Sequence, residues 1–235
     1  MRSLTGRIQL FMNRSKFNIH MVLGKIVARL ICSMTMTDAK VYGEEKLADL
    51  PKPYIIVVNH CSHWDPVLTW AYFPDFLNFM VKAELHDVLS FGIMSEVAGN
   101  IPVHRETSDI TAIKAAIKHL KKGYNLAVFA EGTRSLDGKV HPFKEGAFTL
   151  ANRVQVPVVP VYLHGTFQVI SKGQRIIRAN PTELHVLDPV LDFTQQRLSK
   201  DEMHQVAQEI NERMKAAQKE CYARTGEAIG SEICS

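Results

Sequence analysis

Four β-branched residues in a row, Ile55 to Val58, run straight into Asn59, His60 and, five positions after the histidine, Asp65. A short, wholly apolar run of this kind is a buried strand. It commits the chain to a sheet that other elements must cover. Similar runs recur at 77–82, 125–130 and 156–163. Between them lie stretches with helical periodicity. Pro66 suits a first helical position, so 66–73 is predicted helical. Residues 83–89 are predicted as a short helix. Ser108 caps a helix in which Ile110, Ile113, Ile117 and Leu120 share a face and Gly123 closes the end. Strands alternating with helices define an α/β fold, a mixed and mainly parallel sheet flanked by helices. Further strands are expected at 99–105 and 182–187, and a last amphipathic helix at 200–220 carries Met203, Val206, Ile210 and Met214. The two prolines of 156–163 predict an edge strand or an irregular strand start. Val41 to Pro53 is predicted to be rich in turns.

The chain has 235 residues, 46% of them hydrophobic and 22% charged, which suits one large globular domain with a sizeable core. Its net charge of +4 is unevenly placed. Residues 1–40 carry seven Lys and Arg against the single acid Asp38, whereas the rest is slightly acidic. This divides the sequence into a basic arm, 1–40, and an α/β body, 41–235. In the arm, apolar residues from Ile8 to Met34 recur at helical spacing with cations between them. No apolar run reaches the roughly 18–20 residues of a spanning helix. A signal peptide fits poorly because Lys25 and Arg29 interrupt the apolar part. The pattern predicts an amphipathic helical arm on an anionic bilayer, with Arg7, Phe11, Arg14, Lys16, Ile19, Lys25 and Arg29 in contact with it. The competing reading is a helical hairpin packed on the body. Little aromatic residue accompanies the cations, which disfavours nucleic acid.

Four cysteines, at 32, 61, 221 and 234, form no CxxC pair, so neither a disulfide framework nor a zinc module is expected. Reduced thiols fit a cytosolic setting.

Polar groups just past a core strand sit where α/β folds place their chemistry. His60 is a competent general base, and Asp65 is spaced to fix its tautomer. Three alternatives compete: metal ligation by His60, His63 and Asp65, a Cys61 nucleophile, or His60 as a helix cap. The strand 125–130 runs into Glu131, Gly132, Thr133, Arg134 and Ser135. There a glycine admits close approach and an arginine offers a fork for phosphate oxygens. Arg105 follows another strand. A surface Arg134–Glu131 ion pair is the simpler alternative.

The ordered blocks "NHCSHWD" (59–65), "GNIPVHR" (99–105), "EGTRS" (131–135) and "VPVVPV" (156–161), with "VKAEL" (81–85) and "FKEGAFTLA" (143–151), resemble the glycerolipid acyltransferases. The nearest type is the 1-acyl-glycerol-3-phosphate acyltransferase. Two positions depart from the pattern: Ala130 where proline is common, and His104 where a small acid or amide is usual. Both bear on substrate preference. The resemblance implies that His60, oriented by Asp65, takes the proton from a lysophospholipid hydroxyl. The oxygen then attacks a thioester on coenzyme A or acyl carrier protein, and no acyl-enzyme forms. Arg105, Glu131, Gly132, Thr133 and Arg134 would hold the acceptor phosphate. Val156, Pro157, Val158 and Pro160 would line an acyl tunnel. No cofactor or metal is implied. The bilayer becomes a partner, with peripheral or monotopic association at its cytoplasmic face. Another lyso-lipid acceptor, such as lyso-ornithine lipid, and a non-catalytic lipid-binding role on the same fold remain as alternatives.

Overall fold

The computed structural model describes residues 19–82, 100–103, 109–188, 191–194 and 197–227. The predicted helix at 83–89 and the cap Ser108 lie outside them.

Seven strands form one sheet: β1 (Ala39–Tyr42), β2 (Ile55–Val58), β3 (Leu77–Lys82), β4 (Ile101–Val103), β5 (Asn125–Phe129), β6 (Val158–His164) and β7 (Thr182–Val186). Their order is β1-β7-β6-β2-β5-β3-β4. Strands β2 to β6 run parallel. β7 lies antiparallel to β6 and β1 parallel to β7, which makes the sheet mixed. The α-helices among the described residues are α1 (Ile19–Met34), α2 (Asp65–Tyr72), α3 (Asp109–Lys121), α4 (Gly146–Val154), α5 (Thr166–Val169) and α6 (Lys200–Thr225).

All four residues of β2 are fully buried because strands flank it and helices cover both sides. Side chains alternate along a strand. Ile56 and Val58 therefore join Leu68 of α2 and Ala28 and Cys32 of α1, while Ile55 and Val57 meet α3, α4 and α6 on the other face. Beyond the last rung of β2, Asn59 extends the contact with β6. Its amide donates to Leu163 O at 3.1 Å and accepts from Leu163 N at 2.7 Å. The turn after β2 is thereby fixed to the neighbouring strand.

Several expectations need correction. β6 is central, between β2 and β7, despite its prolines. The carbonyl of Pro160 accepts from Leu187 N at 2.9 Å, so the ring nitrogen faces the same side, where β7 has already ended. The missing donor costs only an outermost rung. The stretch 41–53 contains part of β1, a short strand with alternating exposure and no apolar run to announce it. A boundary at residue 40 thus falls inside β1. Helix α4 has Gly146 at its first position and no side-chain cap, so it lacks a start signal. α3 buries Ala112, Ala116 and Leu120 and leaves Ile110 and Ile113 exposed. α6 continues to Thr225, where Gly226 takes a left-handed conformation; a Ser199–Glu202 capping box starts it.

The arm's cations are also placed differently from expectation. Lys25 is buried and donates to Phe73 O at 2.5 Å and Asp75 O at 3.0 Å, and Arg29 Nε donates to Ala71 O at 2.8 Å. The last carbonyls of a helix lack partners within it. α1 supplies them for α2, burying Lys25 and drawing the exposed Arg29 to Ala71 O, and its apolar stripe faces outward. Leu23, Val27, Leu30 and Met34 are 53%, 54%, 58% and 84% exposed. Burial pushes the Lys25 ammonium down to about 7. Arg7, Phe11, Arg14 and Lys16 lie outside the described residues, as does the side chain of Ile19. No helix among the described residues is long and apolar enough to cross a membrane.

The Asn59 bridge yields a prediction. Asn59→Ala would strand a buried donor and a buried acceptor on Leu163, which costs about 2–4 kcal/mol. Chemical denaturation should show a lowered midpoint of that size, and an unchanged midpoint would refute the structural role.

Candidate active site

Parallel strands of one sheet deliver their carboxyl ends to a single edge. β2 brings Asn59 and His60 there, and β5 brings Ala130 and Glu131. The two loops are tied together: Ala130 N donates to Val58 O at 3.1 Å, and Ser135 N donates to His60 O at 2.7 Å.

Asp65 opens α2 and is completely buried. A single oxygen, Oδ2, receives His60 Nδ1 at 2.7 Å, Cys61 N at 2.8 Å and Ser62 N at 2.8 Å. An ionised carboxylate only accepts, so the two backbone donors define its role toward the ring. The network assigns the proton to Nδ1 and leaves the lone pair on Nε2, which no described residue engages. The ring stacks on Phe129 with centroids 4.1 Å apart. Two contacts and a tautomer are thus imposed on one imidazole.

The turn itself is braced. Ser62 Oγ donates to Ile170 O at 2.8 Å and accepts from Trp64 N at 3.0 Å. Trp64 Nε1 reaches Thr37 Oγ1 at 3.0 Å, which ties the turn to the chain just past α1. Cys61 is buried, and burial pushes its thiol well above the ordinary range. A thiol so held is a poor nucleophile. His63 points elsewhere: its Nε2 accepts from the Arg134 guanidinium. Neither His63 nor Asp65 is therefore disposed as a metal ligand beside His60. Glu183, His185 and Cys221 bring ligand atoms within 4.8 Å of one another on another part of the sheet, but Arg224 already pairs with Glu183 there.

The residues after β5 divide into two roles. Glu131 is buried, and its Oε1 accepts from His60 N at 3.0 Å. It supports the histidine's backbone and forms no ion pair with Arg134. Burial pushes its carboxyl up to about 7, against the opposing effects of the His60 backbone and His141. Gly132 turns with φ of 73°. That left-handed conformation favours glycine, and Lys144 Nζ lies 2.8 Å from where a Cβ would stand, a contact its flexible side chain can relieve. Thr133 is exposed, and Arg134 is half-buried. The outcome is an open turn with Arg134 and Lys144 at it. Lys144 escaped the sequence analysis as a separate cation because it sits within a block quoted only for resemblance. Phe129 escaped because its apolar run predicts core. Arg105, two residues past β4, lies outside the described residues.

Val156, Pro157, Val158 and Pro160 are not brought to this edge. Val156 and Val158 pack with Ile55, Leu126 and Phe148 in the core, and Pro157 O accepts from Ile55 N at 2.9 Å. Val156, Pro157 and Val158 sit beside the start of β2, and Pro160 pairs with Val57 within the sheet.

Comparison with known proteins places the chain among relatives. The family model described as Acyltransferase matches residues 38–164. The chain is 29% identical over 206 residues to the chloroplastic 1-acyl-sn-glycerol-3-phosphate acyltransferase of Brassica napus, covering 86% of the chain and 59% of that protein. It is 31% identical over 182 residues to the 1-acyl-sn-glycerol-3-phosphate acyltransferase of Saccharomyces cerevisiae, covering 75% and 58% respectively. The chain thus spans under two thirds of the length of these curated relatives. The crystal structure of the 1-acyl-sn-glycerophosphate (LPA) acyltransferase PlsC from Thermotoga maritima is similar with a TM-score of 0.70 and 25% identity, over 90% of this chain and 86% of that one.

The buried carboxyl of Glu131 generates a pH prediction. Its folded value, about 7, lies above its ordinary value of 4.5. Between the two the folded state holds the proton that the unfolded state has lost, so stability falls as pH rises. Below about 4.5 the contribution is intact, and by about 7 it is gone. Glu131→Gln cannot titrate and should lack this decline. Denaturant unfolding across that window checks it: parallel curves for the two proteins would contradict the shift.

Proposed function

The chain belongs to the acyltransferase family, and we propose that it transfers an acyl group from a thioester to the free hydroxyl of a lysophospholipid, 1-acyl-glycerol-3-phosphate above all. The observation that carries this reading is the His60–Asp65 pair, with three donors converging on one carboxylate oxygen and Nε2 left unengaged.

The chemistry follows from that arrangement. Nε2 takes the proton as the acceptor oxygen attacks the thioester carbonyl. A C–O bond forms, the tetrahedral adduct collapses, and the C–S bond breaks. The imidazolium returns its proton to the departing thiolate. Asp65 stabilises the imidazolium while it exists. Arg134 and Lys144 provide cationic donors at the β5 turn for the acceptor phosphate, the guanidinium suited to bidentate contact. His63 holds the Arg134 side chain in readiness. Either acyl-coenzyme A or acyl carrier protein would serve as donor, since both present the same thioester.

Substrate and product of such a reaction reside in a bilayer. The outward stripe of α1, from Leu23 to Met34, is an exposed apolar surface of the kind that marks membrane contact. Peripheral association through this stripe fits the reading, with apolar side chains, rather than Lys25 and Arg29, making the contact.

The test is kinetic. His60→Ala should lower kcat by about 10²–10⁴, the range of general-base catalysis, in a thiol-release assay with acyl thioester and 1-acyl-glycerol-3-phosphate. Arg134→Ala should raise KM for the acceptor and leave KM for the thioester in place. Near-normal turnover of His60→Ala would end the proposal.

A further inference from the structure

Between α5 and β7 the chain makes a twelve-residue excursion, 170–181, whose stem is built onto the catalytic turn. Ile170 O accepts from Ser62 Oγ at 2.8 Å and from His63 N at 3.3 Å, and Ser171 bridges to Ser62. Arg178 N closes back on Val169 O at 2.9 Å, and the Asn180 amide donates to Gly165 O at 3.0 Å. Gly165 has φ of 80°, and a Cβ on it would come within 2.3 Å of Pro181 O. The stem is thus specified on both sides. The tip is the reverse. Ile176 is 74% exposed and Ile177 37%, and Lys172, Arg175 and Arg178 stand exposed around them. The twelve residues contain no acid, and among the described residues none of the three cations has an ion-pair partner.

We propose that this loop is a second docking element that inserts its isoleucine tip into a bilayer and seats its cations on anionic lipid headgroups. The inference rests on the reading of the site as one that acts on bilayer lipid. Apolar tip and acid-free basic flank together make the interfacial pattern. A phosphate-bearing soluble donor would use the cations but gives no reason to expose two isoleucines. The end of the loop also meets the chain just past α1. Thr182, at the loop's end, donates through N and Oγ1 to Asp38 O, just past α1, at 3.3 and 3.1 Å. Met34 and Met36, 84% and 70% exposed, lie immediately before that junction. Two apolar surfaces then flank the edge that carries His60, and a lipid leaving the bilayer between them enters the site without crossing open water.

Vesicle flotation of the full chain tests this. The probes are phosphatidylglycerol–phosphatidylcholine vesicles and phosphatidylcholine vesicles alone. The double variant Arg175→Ala, Arg178→Ala should bind the anionic vesicles roughly tenfold more weakly or worse, the scale set by two near-surface cations, and the neutral ones as wild type does. Ile176→Ser should weaken binding to both, as Met34→Ser in α1 should. Turnover on a dispersed short-chain acceptor should stay unchanged in the loop variants, while turnover on vesicle-borne acceptor falls. Wild-type vesicle binding by the loop variants would overturn the proposal. So would loss of turnover on the dispersed acceptor with vesicle binding intact, which would give the loop to the thioester donor. The binding readout needs no catalysis: a wild type that floats normally but transfers no acyl group would end the functional reading and leave the docking result standing.

Discussion

One carboxylate oxygen organises the chemistry of this fold. Asp65 Oδ2 accepts from the ring of His60 and from the backbone of Cys61 and Ser62, all within 2.8 Å. The two backbone bonds curl the turn back on itself at the point where β2 gives way to α2. The same atom thus shapes the loop, orients the imidazole and fixes its tautomer. Burial makes the arrangement demanding, since an ionised group removed from water is tolerated only when its partners are supplied. Here the turn and the histidine supply three donors to Oδ2, while the buried Oδ1 has no hydrogen-bond partner among the described residues. Glu131 completes the support from the neighbouring strand by holding the His60 N–H, so the base is gripped at its ring and at its backbone.

A second constraint sets the polarity of the N-terminal helix. α2 ends against α1, and its terminal carbonyls need donors. Lys25 and Arg29 provide them. With Lys25 buried and Arg29 drawn to Ala71 O, the outward face from Leu23 to Met34 is mainly apolar. An exposed apolar face of this kind marks a contact surface. The cost of keeping Lys25 inside shows in its ammonium, which burial pushes down to about 7.

The sequence disclosed those elements whose signals are local. The apolar runs of β2, β3 and β5 and the helix after Pro66 stand where their patterns place them, because burial on both faces leaves a continuous hydrophobic record. The spacing of His60 and Asp65 was equally legible, since a strand followed at once by a helix brings residues five apart together. What could not be read depended on partners distant in sequence. Pro160 looks disqualifying for a central strand until the end of β7 shows which rung it forfeits. Lys25 looks like a lipid-facing cation until Phe73 and Asp75 stand beside it. Glu131 looks like a member of an exposed anion pocket until the backbone of His60, 71 residues earlier, claims its oxygen. β1 and α4 lack an apolar run and a cap, respectively, and owe their form to tertiary contacts.

These contacts also explain why the catalytic turn and the outer surface are coupled. Trp64, one residue before Asp65, is hydrogen-bonded to Thr37 beyond α1, and Tyr72 at the end of α2 donates to Asp38 at 2.5 Å. Asp38 in turn receives Thr182, where the 170–181 loop returns to the sheet. The chain past α1 is therefore a common abutment for the catalytic turn, for α2 and for the basic loop. Two hydrogen-bonded residues, Thr37 and Asp38, join the end of α1 to the helix that carries Asp65. With Asp65 the keystone of the His60 geometry, α1 and the turn proposed to transfer the proton share one support. Under the proposed function, a base so mounted would keep its aim while the protein rested on a bilayer.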